Sequence, residues 1–175
     1  MKVLIVGGGG REHVIAAKLA MNPQVEKLYA APGNGGMAAI AECLPIKATD
    51  IQAITDFCVK EGMDYVVVAP DDPLCLGLVD LLREKGIPAF GPEKKAAIIE
   101  GSKVFAKGLM KKYGIPTAQY EVFDDYAKAL DYVENAALPL VVKADGLALG
   151  KGVLICPTRE EARDAVRSMM VDNRF

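Results

Sequence analysis

The chain is poor in the side chains that build metal centres and nucleophilic catalysts. It holds one histidine, His13, and four cysteines at positions 43, 58, 75 and 156 with no CxxC pair among them. A structural zinc site wants three or four closely spaced Cys or His ligands, so this inventory argues against one. A Ser-His-Asp site would have to recruit His13, and no nucleophile-elbow sequence is present. The cysteines read instead as buried free thiols of a reducing cytoplasm. Charge of one sign is scarce too: 21 Lys and Arg face 23 Asp and Glu, a net charge of −2 that gives no basic field for nucleic acid. No apolar run is long enough to span a bilayer. The N-terminus passes from Met1-Lys2 through four apolar residues into glycines, which is not a signal peptide. These absences leave a cytoplasmic protein of small-molecule partners, without nucleic acid or membrane.

What is present is globular composition, 51% hydrophobic and 25% charged over 175 residues, enough for one domain or one domain and part of another. "KVLIV" (2–6) is a run of β-formers ending in glycines, as in a buried parallel strand. A helix is expected over 11–21 with Val14, Ala17, Leu19 and Ala20 on its stripe. "KLYAAPGN" follows as a strand broken at Pro32-Gly33. Asp50 is placed to cap a helix carrying Ile51, Ile54, Phe57 and Cys58 at spacings of three and four. "DYVVVAP" (64–70) is a strand, Pro73 to Lys85 a helix stopped by Gly86, and "IPAFGP" a fourth, short strand. Strand, glycine turn and helix in alternation predict an α/β fold, a Rossmann-like parallel sheet over residues 1–101. Ligands of such sheets sit beyond the carboxyl ends of the strands, here Gly7–Glu12, Pro32–Gly36, Ala69–Pro73 and Gly91–Pro92.

Past residue 101 the pattern changes. Ser102 caps a helix through Tyr113 with Gly114 behind it, "PTAQYEVF" is extended, and Asp124 or Asp125 opens a helix bearing Ala127, Leu130 and Val133. "LPLVVKA" and "GVLICP" are separated only by "DGLALGK", which predicts an antiparallel hairpin. Thr158 and Glu161 form a capping box ahead of a helix with Ala162, Ala165, Val166 and Met169. One hairpin and a few helices bury little core of their own, so residues 102–175 are expected to be an incomplete domain of a truncated chain.

Two glycine loops carry the candidate chemistry. Gly7–Gly10 lies between a strand and a helix N-terminus, where bare N–H groups favour an anionic or polar ligand, and Arg11 and Glu12 either contact it or form a solvated first-turn pair. In neither register does the cluster complete G-x-G-x-x-G, and "YAAPGN" lacks the ribose-binding acid of a dinucleotide site. An NAD-dependent oxidoreductase is therefore the weaker alternative, with a non-catalytic nucleotide-binding module as another. The second loop, in "VKADGLALGKGVLIC", is one residue short of a Walker A loop, has Gly152 where the hydroxyl belongs, and joins two strands. It can still fold over a triphosphate, with Lys151 and backbone N–H groups cradling it and Lys143 on the preceding strand. Against that stand a charged hairpin tip at Lys151 and a lysine snorkelling to water at 143.

Together, "MKVLIVGGGGREH", "APGNGG", "FGPEKKAAIIEGSKVFAKGLMKKYGIPTAQY" and "VVKADGLALGKGVLI" resemble the N-terminal part of the phosphoribosylamine–glycine ligases (glycinamide ribonucleotide synthetases), ATP-grasp enzymes of purine biosynthesis. The resemblance covers essentially the whole chain. It implies an ATP-dependent joining of phosphoribosylamine to glycine through an acyl phosphate, using ATP with Mg or Mn. Lys103, Lys143, Gly146, Gly150, Lys151 and Gly152 match ATP-binding positions. Gly8, Gly9, Gly10, Arg11, Glu12, Pro32, Gly33, Asn34 and Asp71 would line the ribosylamine side. At 69–74 the chain reads "APDDPL" where the family usually has "GPEAPL". Asp71 thus shortens the reach of a glutamate, and Asp71 and Asp72 also suit a helix cap and first turn. The family's metal-binding carboxylates and glycine contacts fall later than residue 175, so no metal site is expected here and the 175-residue chain alone is expected to be inactive.

Overall fold

The structure, a computed structural model, describes residues 1–147 and 152–172. It divides into two compact units, Met1–Gly101 and Ser102–Phe175.

In the first unit the elements run β1 (Lys2–Gly7), α1 (Gly10–Ala20), β2 (Lys27–Pro32), a 3-10 turn (Met37–Ala39), β3 (Glu42–Cys43), α2 (Ile51–Glu61), β4 (Tyr65–Val68), α3 (Asp71–Leu76), α4 (Leu78–Glu84), β5 (Ala89–Phe90) and α5 (Lys94–Gly101). The strands form one parallel sheet in the order β3-β2-β1-β4-β5. Alternation along β1 explains the layers. Leu4 and Val6 face a core with Ile54 and Cys58 of α2, Leu74 of α3, and Leu78, Val79 and Leu82 of α4. Val3 and Ile5 face the opposite core with Ala16 of α1 and Met37. Full burial of Leu4 and Ile5 contributes about 1.5–3 kcal/mol each relative to exposure. Both edge strands are two residues long, which leaves little unpaired backbone to recruit another chain. Chain order reverses between β1 and β4, so the switch-point crevice lies beyond Gly7 and Val68.

Several sequence expectations are corrected. The helix expected from Pro73 to Lys85 is two helices, because Gly77 adopts φ +98° and its N–H closes on Pro73 and Leu74 carbonyls. The strand at "IPAFGP" is the fifth, since β3 adds a two-residue pairing too short to announce itself. Helix α1 buries Glu12 and Ala16, with Ile15 and Leu19 packed beside them, while Val14 is 64% exposed and Ala17 and Ala20 face outward. The inward stripe includes a carboxylate, so apolar residues alone pick the wrong face. Helix α5 was not anticipated: its apolar residues form one run, Ala96–Ile99, rather than a stripe.

The second unit contains α6 (Lys103–Tyr113), α7 (Tyr126–Asn135), β6 (Leu140–Lys143), β7 (Val153–Cys156) and α8 (Arg159–Met170). Strands β6 and β7 form the antiparallel hairpin, pairing Leu140 with Cys156 and Lys143 with Val153. Leu140, Val142, Leu154 and Cys156 point to a core made with Ala129 and Val133 of α7 and Ala162, Ala165 and Val166 of α8. On α7 the inward face is Tyr126, Ala129, Leu130 and Val133, and Ala127 is exposed. Asp125 caps α7, accepting from Lys128 N, and the Thr158–Glu161 box caps α8 with both of its bonds made. The hairpin's other face carries Val141, Lys143, Val153 and Ile155, with Ile155 72% exposed. Among the described residues no helix is long and apolar enough to cross a membrane.

Candidate functional sites

In the first unit, the two loops beyond β1 and β2 are stitched by main-chain and amide bonds. Gly33 N donates to the Gly7 carbonyl at 3.1 Å and Asn34 Nδ2 to the Gly8 carbonyl at 2.9 Å. Asn34 Oδ1 accepts from Gly36 N and Met37 N, each at 2.9 Å, which folds the second loop into the 3-10 turn. Close approach accounts for most of the glycine run. A Cβ at Gly8 would lie 2.4 Å from the Gly33 carbonyl oxygen, and one at Gly7, whose φ is +121°, would meet Glu12 at 2.6 Å and Pro70 at 2.9 Å. A Cβ at Gly9 would meet Glu12 Oε2 at 2.5 Å, whereas Gly10 has nothing within 4 Å.

Glu12 organises this loop. It stands three positions after Gly9, the cap of α1, and its Oε2 accepts the Gly9 N–H at 2.6 Å. This is the returning half of a capping box, legible from the spacing had Gly9 been taken as the cap. The side chain is 4% exposed, and Oε1 is buried without a hydrogen-bond partner among the described residues. Leaving such an atom unpaired costs about 1–3 kcal/mol. Arg11 is exposed beside it. Pro32 ends β2 in an exposed position, and Gly33 takes φ +72° against Cys43 Sγ. Pro70, not Asp71, is the cap of α3, and Asp71 and Asp72 lie in its first turn, where negative charge suits the helix dipole. Sequence reasoning missed His13, whose ring lies against Gly36, and Cys43 beneath Gly33. The four cysteines are free, and burial pushes the Cys58 thiol up to about 12, as fits a packing residue.

In the second unit the N-terminus of α6 meets the root of the glycine loop. Ser102 Oγ accepts from Phe105 N at 3.0 Å as the cap and donates to the Asp145 carboxylate at 3.1 Å. Val104 N donates to Asp145 Oδ1 at 3.1 Å, and Lys103 Nζ to the Gly146 carbonyl at 2.6 Å. The largest single influence on Asp145 is desolvation, which raises its pKa. Hydrogen bonds from Val104 N, Ser102, Gly146 N and Lys103 N together outweigh it and hold the carboxyl below its usual range. Asp145 was not among the expected site residues, although an acid right after a strand and before a glycine is a turn signal. Lys103 uses one of its three donors on Gly146. Lys143 is exposed, opposite Val153 on the outer face of the hairpin. Gly146 adopts φ +98° with open space around it, and Gly152 is buried. Gly150 and Lys151 lie outside the described residues. Among the described residues no group of three or more His, Cys, Asp or Glu is placed to hold a metal ion.

The model of the phosphoribosylglycinamide synthetase N domain matches residues 1–100, and that of the ATP-grasp (A) domain of the same synthetase matches residues 101–175. A phosphoribosylamine–glycine ligase of Ralstonia nicotianae is 49% identical over 175 residues, all of this chain and 42% of the relative. One from Caldanaerobacter subterraneus is 48% identical over the same span, again 42% of its length. Among solved structures, the Thermotoga maritima phosphoribosylamine–glycine ligase aligns with a TM-score of 0.75 and 34% identity, over 98% of this chain and 40% of that one. An N5-carboxyaminoimidazole ribonucleotide synthetase from Thermus thermophilus aligns with a TM-score of 0.70 at 21% identity, over 95% of this chain and 43% of that one, a likeness of fold. The chain thus spans about two fifths of the length of the curated relatives it matches. With one of its models covering the whole parallel-sheet unit and another the hairpin unit, the chain belongs to the phosphoribosylglycinamide synthetase family.

Proposed function

We propose that this chain supplies the ribosylamine-binding and ATP-phosphate-binding portions of an ATP-dependent ligase. The reaction joins 5-phosphoribosylamine to glycine, giving glycinamide ribonucleotide, ADP and phosphate through a glycyl phosphate. The observation that carries the reading is the match of both family models in chain order, one on each compact unit, with each unit holding its own glycine loop. The first unit's loops lie at the switch point of an open parallel sheet, the usual seat of a ligand in such folds. In the second unit, Lys103 and the backbone around Gly146 are brought together, and a lysine with backbone amides is suited to a triphosphate. Lys143, Gly150, Lys151 and Gly152 complete the ATP set. Gly8, Gly9, Gly10, Arg11, Glu12, Pro32, Gly33, Asn34 and Asp71 form the ribosylamine set. Attack of an amine on an acyl phosphate gains from fixed positive charge, which the second unit's lysines offer.

ATP acts with a divalent cation, magnesium or manganese, which neutralises the phosphates. The described residues do not form a site for that ion, and no step is assigned to them through it. A dinucleotide reading is disfavoured by the sequence: neither register completes G-x-G-x-x-G, and no acid stands at the end of β2. The test is ADP release by the protein expressed from its complete reading frame. ADP should form only with glycine and phosphoribosylamine together. Turnover with a different amine or acid in place of either would sink the substrate assignment.

A further inference from the structure

We propose that Asp145 is a positioning residue for nucleotide binding: it seats the start of α6 on the root of the second unit's glycine loop, so that Lys103 is held in place for the phosphates of ATP. This rests on the assignment of Lys103 to ATP made above and adds a residue that acts through it.

Three observations carry it. A helix N-terminus leaves N–H groups bare at the positive end of a dipole, and the first turn of α6 holds no acid to meet them. Helices α1, α3 and α8 carry acids in theirs. For α6 the negative charge comes from 41 residues along the chain, where Asp145 Oδ1 accepts from Val104 N at 3.1 Å. Ser102 Oγ caps the helix by accepting from Phe105 N, and donates its own proton to the same carboxylate at 3.1 Å. With Asp145 and Ser102 on these N–H groups, the group that α6 has left to offer a phosphate is the Lys103 side chain. Next, Lys103 stands between Ser102 and Val104, the two residues that Asp145 grips, and its Nζ donates at 2.6 Å to the carbonyl of Gly146, the neighbour of Asp145. Residues 145 and 146 thus hold residues 102 to 104 at both backbone and side chain, which fixes where the ammonium lies. Finally, that ammonium rests on a neutral carbonyl and, among the described residues, forms no ion pair. Its charge and two further donors therefore remain for an anion. A group pre-positioned in this way loses less freedom when the ligand arrives.

The test is a double-variant cycle on the protein from its complete reading frame. Initial rates are read against ATP, glycine and phosphoribosylamine, at a temperature below the melting transition of every variant. Asp145→Ala should raise the KM for ATP about tenfold, as Lys103→Ala does, and leave the other two KM values nearly unchanged. Asp145→Asn keeps an acceptor for Val104 N and should recover part of that loss. The variant carrying both Lys103→Ala and Asp145→Ala should do no worse than Lys103→Ala alone, because a residue acting through Lys103 then has nothing left to position. Effects that multiply in the double variant, or a rise in all three KM values together, would overturn the inference, making Asp145 an independent or merely structural residue. If Asp145→Ala does not fold, Asp145→Asn takes its place in the cycle under the same criterion. A rise in the KM for ATP with Lys103→Ala that the Asp145 variants do not share removes the inference alone. No rise with Lys103→Ala removes the assignment of Lys103 to ATP as well.

Discussion

Asp145 shows how much one exposed side chain can organise when donors converge on it. Its carboxylate ties Ser102 and Val104, at the start of α6, to the residue that opens the glycine loop. Because its pKa is lowered in the folded state, the charged form stabilises the fold. That contribution is complete above the ordinary carboxylate pKa of about 4 and is lost as pH falls through the lower, folded value. Asp145→Asn should therefore lower the melting temperature at pH 7, and the difference from the parent chain should close as melts are taken at progressively more acid pH. A gap that stays constant down to pH about 2 would remove the charge from the explanation. Glu12 teaches the complementary lesson. Its presence beside the glycines was legible, but its direction was not, since a carboxylate three residues past a glycine cap can turn outward to a ligand or back to the cap. In the structure its Oε2 returns to the Gly9 N–H while the side chain packs against Gly7 and Gly9.

At the scale of elements, local signals were readable wherever a short-range bond fixes the boundary. Asp50, Ser102 and Thr158 each accept from the backbone N–H three residues on, and each had been expected to start a helix. Thr158 also has its reciprocal bond, Thr158 N to Glu161 Oε2 at 3.0 Å. Thr158→Ala should cost about 0.5–2 kcal/mol in denaturant unfolding. Thr158→Ser, which retains the acceptor, should cost far less, and equal losses for the two would contradict the cap. Boundaries set by tertiary contacts were not readable. Gly77 looks like any small residue within an apolar helix, yet its φ of +98° separates α3 from α4. Gly77→Ala should destabilise by about 1–2 kcal/mol, measurable in the same unfolding experiment, because an L side chain resists that conformation. A neutral outcome would mean that the two helices fuse without cost. The stripe of α1 was misread for a related reason: a buried acid occupies an inward position that hydrophobicity assigns to the surface.

At the scale of the whole chain, the change from βαβ units to a hairpin was visible because the last two strands are separated only by a short glycine loop, which is all a hairpin needs. The parallel pairing of the sheet followed from the alternation of strand and helix, except for β3, which two residues cannot reveal. The candidate sites were half legible: the loops stood out through their glycines, while Ser102 and Asp145 emerge only when α6 and the root of the second loop come together. On the function proposed above, the glycine loops of the two units serve two different ligands of one reaction. Initial rates of the protein from the complete reading frame test it most directly, with Lys103→Ala and Asn34→Ala as probes. Lys103→Ala should raise the KM for ATP about tenfold, as expected for loss of one charge-assisted hydrogen bond, and leave that for phosphoribosylamine nearly unchanged. Asn34→Ala, which releases Gly8 and the loop after β2, should do the reverse. Both variants raising the same KM, or each raising the other's, would contradict the division of labour.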